Sequence, residues 1–397
     1  MRQDSGLNKR KSAYMAILLL GIVSLMGDTV YEGSRGILPS YLDILGASAL
    51  IAGLVGGLDI LANVFRLISG FLADKTNAYW PLIFLGYALI ASIPLLGIFT
   101  GLGTIILLVA LERLGKAIRA PARDTILSVI GKDVGAGRAF GIHELLDQVG
   151  AVAGPLLVAA AMFYSKNNYG YTFSMLIIPF LILLVALVYT YNRLGSRAII
   201  EPRKAEEKKE KLARPFYVYA LAVLLNTAGV TQATLILFKA STILPTQEQW
   251  IVPLIYLLIQ GVDAPAALLS GYAYDKFGIT VLVAPFLLSF FPPLLTLFGA
   301  DLSTIIMASI VFGLILGMQE SIYRAAVSDL TPLSSRGTAY GIFNMSYGVG
   351  LFISGAIFGM LMDYKLPFIV VMFYVLVVQI AATSSLLKAR SNLKSKS

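Results

Sequence analysis

Ser69-Gly70-Phe71-Leu72-Ala73-Asp74-Lys75 and Ser270-Gly271-Tyr272-Ala273-Tyr274-Asp275-Lys276 are two copies of one pattern, 201 residues apart, and each closes a long apolar run. A second pair repeats at almost the same spacing. Phe140-Gly141-Ile142 matches Tyr340-Gly341-Ile342, and Gly150 matches Gly350, both 200 residues on. Arg119 and Asp124 match Arg324 and Asp329 after a shift of five. Self-similarity at this period, carried by apolar segments, divides the chain into two parallel halves.

The composition says what the halves are made of. The 397 residues are 57% hydrophobic and 13% charged, with a mean hydropathy of +0.80, whereas soluble domains carry about 25% charged residues. A hydrocarbon core of about 30 Å takes roughly 20 apolar residues per helix, so this length supplies about a dozen spans. Apolar runs punctuated by Gly, Pro and charge fall near 13–44, 47–74, 78–99, 103–127, 136–164 and 168–192. In the second half they fall near 215–242, 249–275, 279–299, 302–329, 335–362 and 366–388. The expected fold class is an all-α membrane protein with about twelve transmembrane helices in two pseudo-symmetric six-helix bundles. Residues 1–192 form the first bundle, 193–214 a mixed-charge cytoplasmic linker, and 215–397 the second bundle.

The formal net charge of +9 reads as a topology signal rather than a nucleic-acid footprint. Lys75, Arg119, Arg123, Lys132, Arg138, the central linker, Lys276 and Arg336 fall on one side of the predicted spans, and Lys166, Lys239 and Lys365 on the other. The positive-inside rule then places both termini in the cytoplasm. The first span follows a basic head and outruns a signal peptide, so it is expected to be retained. With no cysteine and one histidine, disulfides and thiolate metal sites are excluded, and no metal site or cofactor is expected.

Ionisable groups inside a helix bundle are costly, so each asks for a partner or a task. Counted at 1.5 Å per residue, Asp59, Glu112, Arg113, Glu144 and Asp147 fall near the midplane, with Asp28 a little beyond it. Helical spacing puts Asp28, Glu32 and Arg35 on one side of the first helix, and His143 with Asp147 on one side of the fifth. Arg113 is the expected counter-ion for Asp147 or Glu144. The second half is the control: Phe343, Asn344 and Tyr347 stand where the first half has His143, Glu144 and Asp147. The asymmetry points to proton coupling at Asp147, Glu144, Arg113, Glu112 and His143. Asp28, Asp59, Asn226, Gln260, Asp263, Asn344 and Tyr347 are candidates to line a substrate cavity, and Glu32 and Arg35 to form a gate pair. A carboxylate in low dielectric gains proton affinity and a neighbouring arginine lowers it again, so moving the two apart binds and releases a proton. A permanent salt-bridge network fixing two helices is the alternative reading of the same residues.

The motifs also resemble those of the major facilitator superfamily, across essentially the whole chain. Gly70-Phe71-Leu72-Ala73-Asp74-Lys75 is similar to that family's loop signature between helices 2 and 3, although Thr76-Asn77-Ala78-Tyr79-Trp80 replaces its later glycine and basic cluster. Gly271, Asp275, Lys276 and Gly278 keep the pattern better. Arg113 resembles the helix-4 arginine motif, with Ala117 where glycine is usual. Gly150-x-x-x-Gly154-Pro155 resembles the motif associated with antiporters, with Val158 and Ala159 in place of its final glycines. The resemblance implies alternating access and favours proton-linked export. Independently of any family, Gly150 and Gly154 permit close helix approach and Pro155 a bend. Asp74 and Asp275, beside Lys75 and Lys276, are placed to bond exposed amides at a helix N-terminus and latch one state.

The leading expectation is a proton-coupled exporter of a small organic or cationic solute, acting as a monomer in the cytoplasmic membrane. Divalent-cation export on carboxylates and proton-coupled nutrient uptake remain open. A membrane enzyme or receptor is disfavoured, because no nucleophile elbow, metalloprotease helix or P-loop is present. No nucleic-acid partner is expected.

Overall fold

The computed structural model describes residues 2–131, 134–195, 211–332 and 335–394, which contain helices and turns and no strand. Among the described residues, twelve helical segments follow one another. In the first half they are α1 (Arg2–Ile44), α2 (Ala49–Gly56 and Asp59–Thr76), α3 (Tyr79–Ala88, continued by Leu89–Ala91 and Ser92–Leu95), α4 (Leu102–Gly131), α5 (Ala136–Tyr164) and α6 (Tyr169–Met175 and Ile177–Leu194). In the second they are α7 (Arg214–Ala228 and Ala233–Ile243), α8 (Val252–Phe277) and α9 (Val283–Leu288 and Phe291–Phe298). After these come α10 (Leu302–Met318, a π-helical turn Gln319–Tyr323, and Arg324–Leu330), α11 (Arg336–Asp363) and α12 (Phe368–Lys394). Each coincides with one expected apolar run.

Local chemistry sets several of the ends. Asn168 caps α6 by accepting from the Tyr171 amide at 2.9 Å, and Asp301 caps α10 by accepting from the Thr304 amide at 2.8 Å. The Ser303 hydroxyl, then the Thr304 amide and hydroxyl, hold the exposed Asp301 carboxyl down at about 2. α2 and α8 both end on a residue with positive φ, Asn77 at 55° and Gly278 at 60°. The two are 201 residues apart, so the repeat keeps a positive-φ stop and fills it once with asparagine and once with glycine. Lys166 and Lys365, after α5 and α11, also have positive φ, at 55° and 48°.

Two compact units form: Met1–Ile37 with Val64–Lys204, and Leu38–Asn63 with Ala205–Ser397. The ends of α1 and α2 that flank their connecting turn therefore group with the second half of the chain. The expected linker at 193–214 falls mostly outside the described residues.

Inside each unit the small residues explain the helix contacts. In the first, a Cβ on Gly150 would collide with the Leu25 carbonyl, and one on Gly154 would lie 2.6 Å from both the Thr29 oxygen and the Gly33 nitrogen. α5 and α1 thus touch backbone to backbone along a four-residue glycine spacing. In the second unit Gly350 presses on Leu224 and Thr227 of α7 in the same manner. Gly86 and Gly115 bring α3 against α4. The second unit's core is rich in aromatic rings at one end, where Phe216, Tyr219, Phe286, Ile322, Tyr323 and Phe343 are buried together. At the other it is aliphatic, around Ile236, Ile255, Ile259, Phe312 and Ile315.

Candidate functional site

Each unit encloses a polar cluster. In the first, α5 directs His143 and Asp147, one turn apart, towards α1 and α4. The Asp147 carboxylate lies 3.3 Å from His143 Nδ1 and 3.7 Å from Arg123 Nη1. Arg123 also donates from Nη1 to the Ser24 hydroxyl at 2.7 Å, and from Nε and Nη2 to Asp124 at 3.0 and 2.9 Å. Asp28, buried on α1, has Asp147, Lys116 and Glu32 as charged neighbours and the Tyr31 hydroxyl as a hydrogen-bonding one.

The Arg113 expectation is corrected here. Arg113 sits 3.0 Å from Glu112, and Arg123 is the arginine beside Asp147. Depth explains the exchange. α4 ends at Gly131 and α5 begins at Ala136, so at 1.5 Å per residue Asp147 lies about 16 Å from the connecting turn, Arg123 about 12 Å and Arg113 about 27 Å. Glu144 does not join the cluster: it is exposed and accepts from Gln148 at 3.3 Å. Glu32 and Arg35, the expected gate pair, form an ion pair at 3.0 Å.

Sequence reasoning missed Tyr31. Its ring has three cations over it, Lys116 at 4.5 Å, Arg35 at 5.4 Å and Arg119 at 5.5 Å, and Arg119 also lies 4.8 Å from the Tyr87 ring. Such contacts strengthen when desolvated, and Tyr31, Tyr87 and Arg119 are all buried. The signal was present: Tyr31 is three residues from Asp28 and four from Arg35, on the same helical face.

The second unit holds an uncharged network. Asn226 on α7 donates to Gln379 Oε1 at 2.8 Å and accepts from the Tyr323 hydroxyl at 2.6 Å and from Gln319 Nε2 at 3.2 Å. Gln379 donates back to the Asn226 carbonyl, and the Tyr347 hydroxyl donates to Gln319 at 3.3 Å. Gln319 and Tyr323 begin and end the π-helical turn, a feature often found at functional sites. Asp59, Asp263, Glu320 and Arg324 are the charged neighbours of Tyr347, so three of the expected cavity residues, Asp59, Asp263 and Tyr347, come together. Asn226 is fully buried and occupied by protein partners; Gln260 and Asn344 are half-buried on α8 and α11.

At the repeated loop signature, Lys75 and Lys276 rest against the Phe71 and Phe277 rings at 6.0 and 5.2 Å. Asp275 is exposed, and the side chain of Asp74 lies outside the described residues. No group of three or more His, Asp or Glu side chains among the described residues is arranged to hold a metal ion.

The comparisons agree with this architecture. The family model for the Major Facilitator Superfamily matches residues 17–355 and 243–396. An uncharacterised protein of Mycobacterium tuberculosis is 34% identical over 369 residues, 91% of this chain and 90% of that one. An uncharacterised MFS-type transporter of Methanocaldococcus jannaschii is 25% identical over 84% of this chain and 85% of its own. Among solved structures, the nucleoside transporter NupG superposes with a TM-score of 0.72 at 15% identity, covering 93% of this chain and 98% of that one. A bacterial homologue of the iron transporter ferroportin gives 0.67 at 14%, covering 95% and 98%. With its repeated six-helix halves, its buried polar clusters and a family match along almost its whole length, the chain belongs to the major facilitator superfamily and is a multi-pass secondary transporter rather than an enzyme.

Proposed function

We propose that this transporter exports a small organic or cationic solute in exchange for protons, and that Asp147 carries the proton. The observation behind this reading is the position of Asp147 between a permanent cation, Arg123, and a titratable one, His143, inside a membrane-spanning bundle. Protonation cancels the Asp147 charge and frees Arg123 to rest on Asp124 and the Ser24 hydroxyl, both already within hydrogen-bond reach. Deprotonation draws Arg123 back to Asp147. His143, one helical turn away, offers the proton a second stop. Glu112 and Arg113 form a separate ion pair about 15 Å further along α4.

The solute class rests on carboxylates. Asp28 in one unit, and Asp59, Asp263 and Glu320 around Tyr347 in the other, favour a positively charged or hydrogen-bonding solute over an anion. The export direction rests on the resemblance of Gly150, Gly154 and Pro155 to the antiporter motif, and the cytoplasmic placement of both termini on the lysine and arginine distribution.

The test is a proteoliposome assay with an imposed pH gradient, following internal pH while screening organic amines, divalent cations, nucleosides and dipeptides. Proton flux evoked by organic amines and absent in Asp147→Asn supports the reading. Flux that survives the substitution removes Asp147 from the coupling, and flux evoked by divalent cations replaces the solute class.

A further inference from the structure

Helices α1 and α2 are divided between the two units: up to Ile37 and from Val64 onward they pack in the first, whereas Leu38–Asn63 packs in the second. That segment lies along one face of α11. Gly348, Phe352, Gly355, Gly359 and Asp363 recur every three or four residues, and each meets it in turn. Gly348 lies against Ile60 and Asn63, Phe352 against Gly57, and Gly359 against Ala49 and Leu50. Gly53 and Gly355 touch through their backbones, so a Cβ on either would collide with the other's carbonyl. The buried Gln232 donates to the Gly53 carbonyl at 2.8 Å, and the Ser241 hydroxyl donates to Asp43 at 2.7 Å.

Asp363, the last residue of α11, closes this row. Its two carboxylate oxygens accept from the Ala49 and Leu50 amides at 2.8 and 2.9 Å, while Ser48 accepts from the Ile51 amide at 3.3 Å. The first turn of α2 therefore has its exposed amides satisfied largely by a distant carboxylate, where the helix dipole favours an anion. α1 crosses once between the N-terminus and this turn, and α12 crosses once between Asp363 and the C-terminus. The clip thus sits at the membrane face opposite both termini.

We propose that Asp363 is a reversible clip that fastens the α1–α2 turn to α11, and that its release is a step of the transport cycle at the face opposite the termini. Three features fit a clip rather than a permanent weld. Asp363 is exposed, so water can replace both amides. Pro39 and Gly56-Gly57 lie within the shared segment, where α1 lacks a backbone donor and α2 is interrupted. In a transporter that rocks its repeats against one another, helices shared between two units must either bend there or let go. The device applies the principle expected at Asp74 and Asp275, a carboxylate on helix amides, at the opposite face and with a residue outside the repeated signature.

The chain has no cysteine, so single-cysteine labelling needs no background removal. Val55 on α2 is 2% exposed, and Val55→Cys reports on the shielded side of the segment. In proteoliposomes probed with a membrane-impermeant maleimide from the clip face, labelling is slow with Asp363 intact and about tenfold faster with Asp363→Asn, which loses the charge assistance. A second variant guards against misfolding: with the Ala49→Cys/Asp363→Cys pair oxidised to a disulfide in a Val55→Cys background, labelling read at the residue-55 peptide by mass spectrometry stays slow, and it speeds up once the bridge is reduced. Equal labelling with and without the Asp363→Asn substitution, or failure of the cysteine pair to crosslink, overturns the proposal.

Discussion

The crossing of α5 on α1 and the crossing of α11 on α7 are built alike and filled differently. Gly150 presses on Leu25 in one and Gly350 on Leu224 in the other. Within two turns before these glycines the first crossing carries Asp147 and His143, with Arg123 and Ser24 across from them. The second carries Tyr347 and Phe343 beside a hydrogen-bonded network of amides and hydroxyls. Duplication preserved the backbone contact, where any side chain would collide, and released the adjacent positions to acquire unlike chemistry. The ionic cluster of the first unit pairs its carboxylate with cations, whereas the carboxylates of the second, Asp59, Asp263 and Glu320, are the neighbours of Tyr347.

The largest expected effect tests the shared scaffold. Gly150→Leu and Gly350→Leu each force the two helices apart at a carbonyl, and overpacking of this kind costs roughly 3 kcal/mol or more. Both variants should show strongly reduced yield of monodisperse protein in detergent, to the same degree; a tolerated leucine in either half breaks the equivalence.

Next in size is the unlike chemistry. Asn226→Leu strands Tyr323, Gln319 and Gln379 in a buried site, at about 1–3 kcal/mol for the stranded groups. Thermal unfolding in detergent should show that loss at every pH from mildly acidic to mildly basic. Asp147→Asn should instead leave unfolding nearly unchanged and remove the pH dependence of transport. A pH-dependent loss in the Asn226 variant would erase the contrast between the units.

Smaller effects come from the two positive-φ stops. Gly278→Ala places a Cβ at a positive φ and should destabilise by about 1 kcal/mol, while Asn77→Gly should be neutral or slightly stabilising. Smallest is the Asp301 cap. Its carboxyl is depressed in the folded state, so its contribution is present above about 4 and fades as pH falls towards 2. Asp301→Asn should flatten that acid limb of the melting curve.

The fold was legible because its signals are linear in sequence. Apolar runs of span length mark each helix, and the doubled Ser-Gly…Asp-Lys pattern marks the repeat. The partition of α1 and α2 between units was not legible, since nothing in residues 38–63 names their partner until α11 is seen alongside. Asp147 and His143 were found from four-residue spacing, a property of one helix. Arg123 was missed as the partner of Asp147 because pairing across helices depends on where each helix starts, and an error of a few residues at each end is about a full turn. Tyr31 was missed because tyrosine on a mostly apolar helix carries no flag until cations converge on it.

The most direct measurement is the number of protons moved per solute in vesicles, compared between the natural chain, Asp147→Asn and Tyr347→Phe. The account predicts that Tyr347→Phe changes the solute concentration needed for half-maximal flux and leaves the proton ratio intact, whereas Asp147→Asn still exchanges solute but moves no protons. An Asp147→Asn transporter that keeps the natural proton ratio would contradict it.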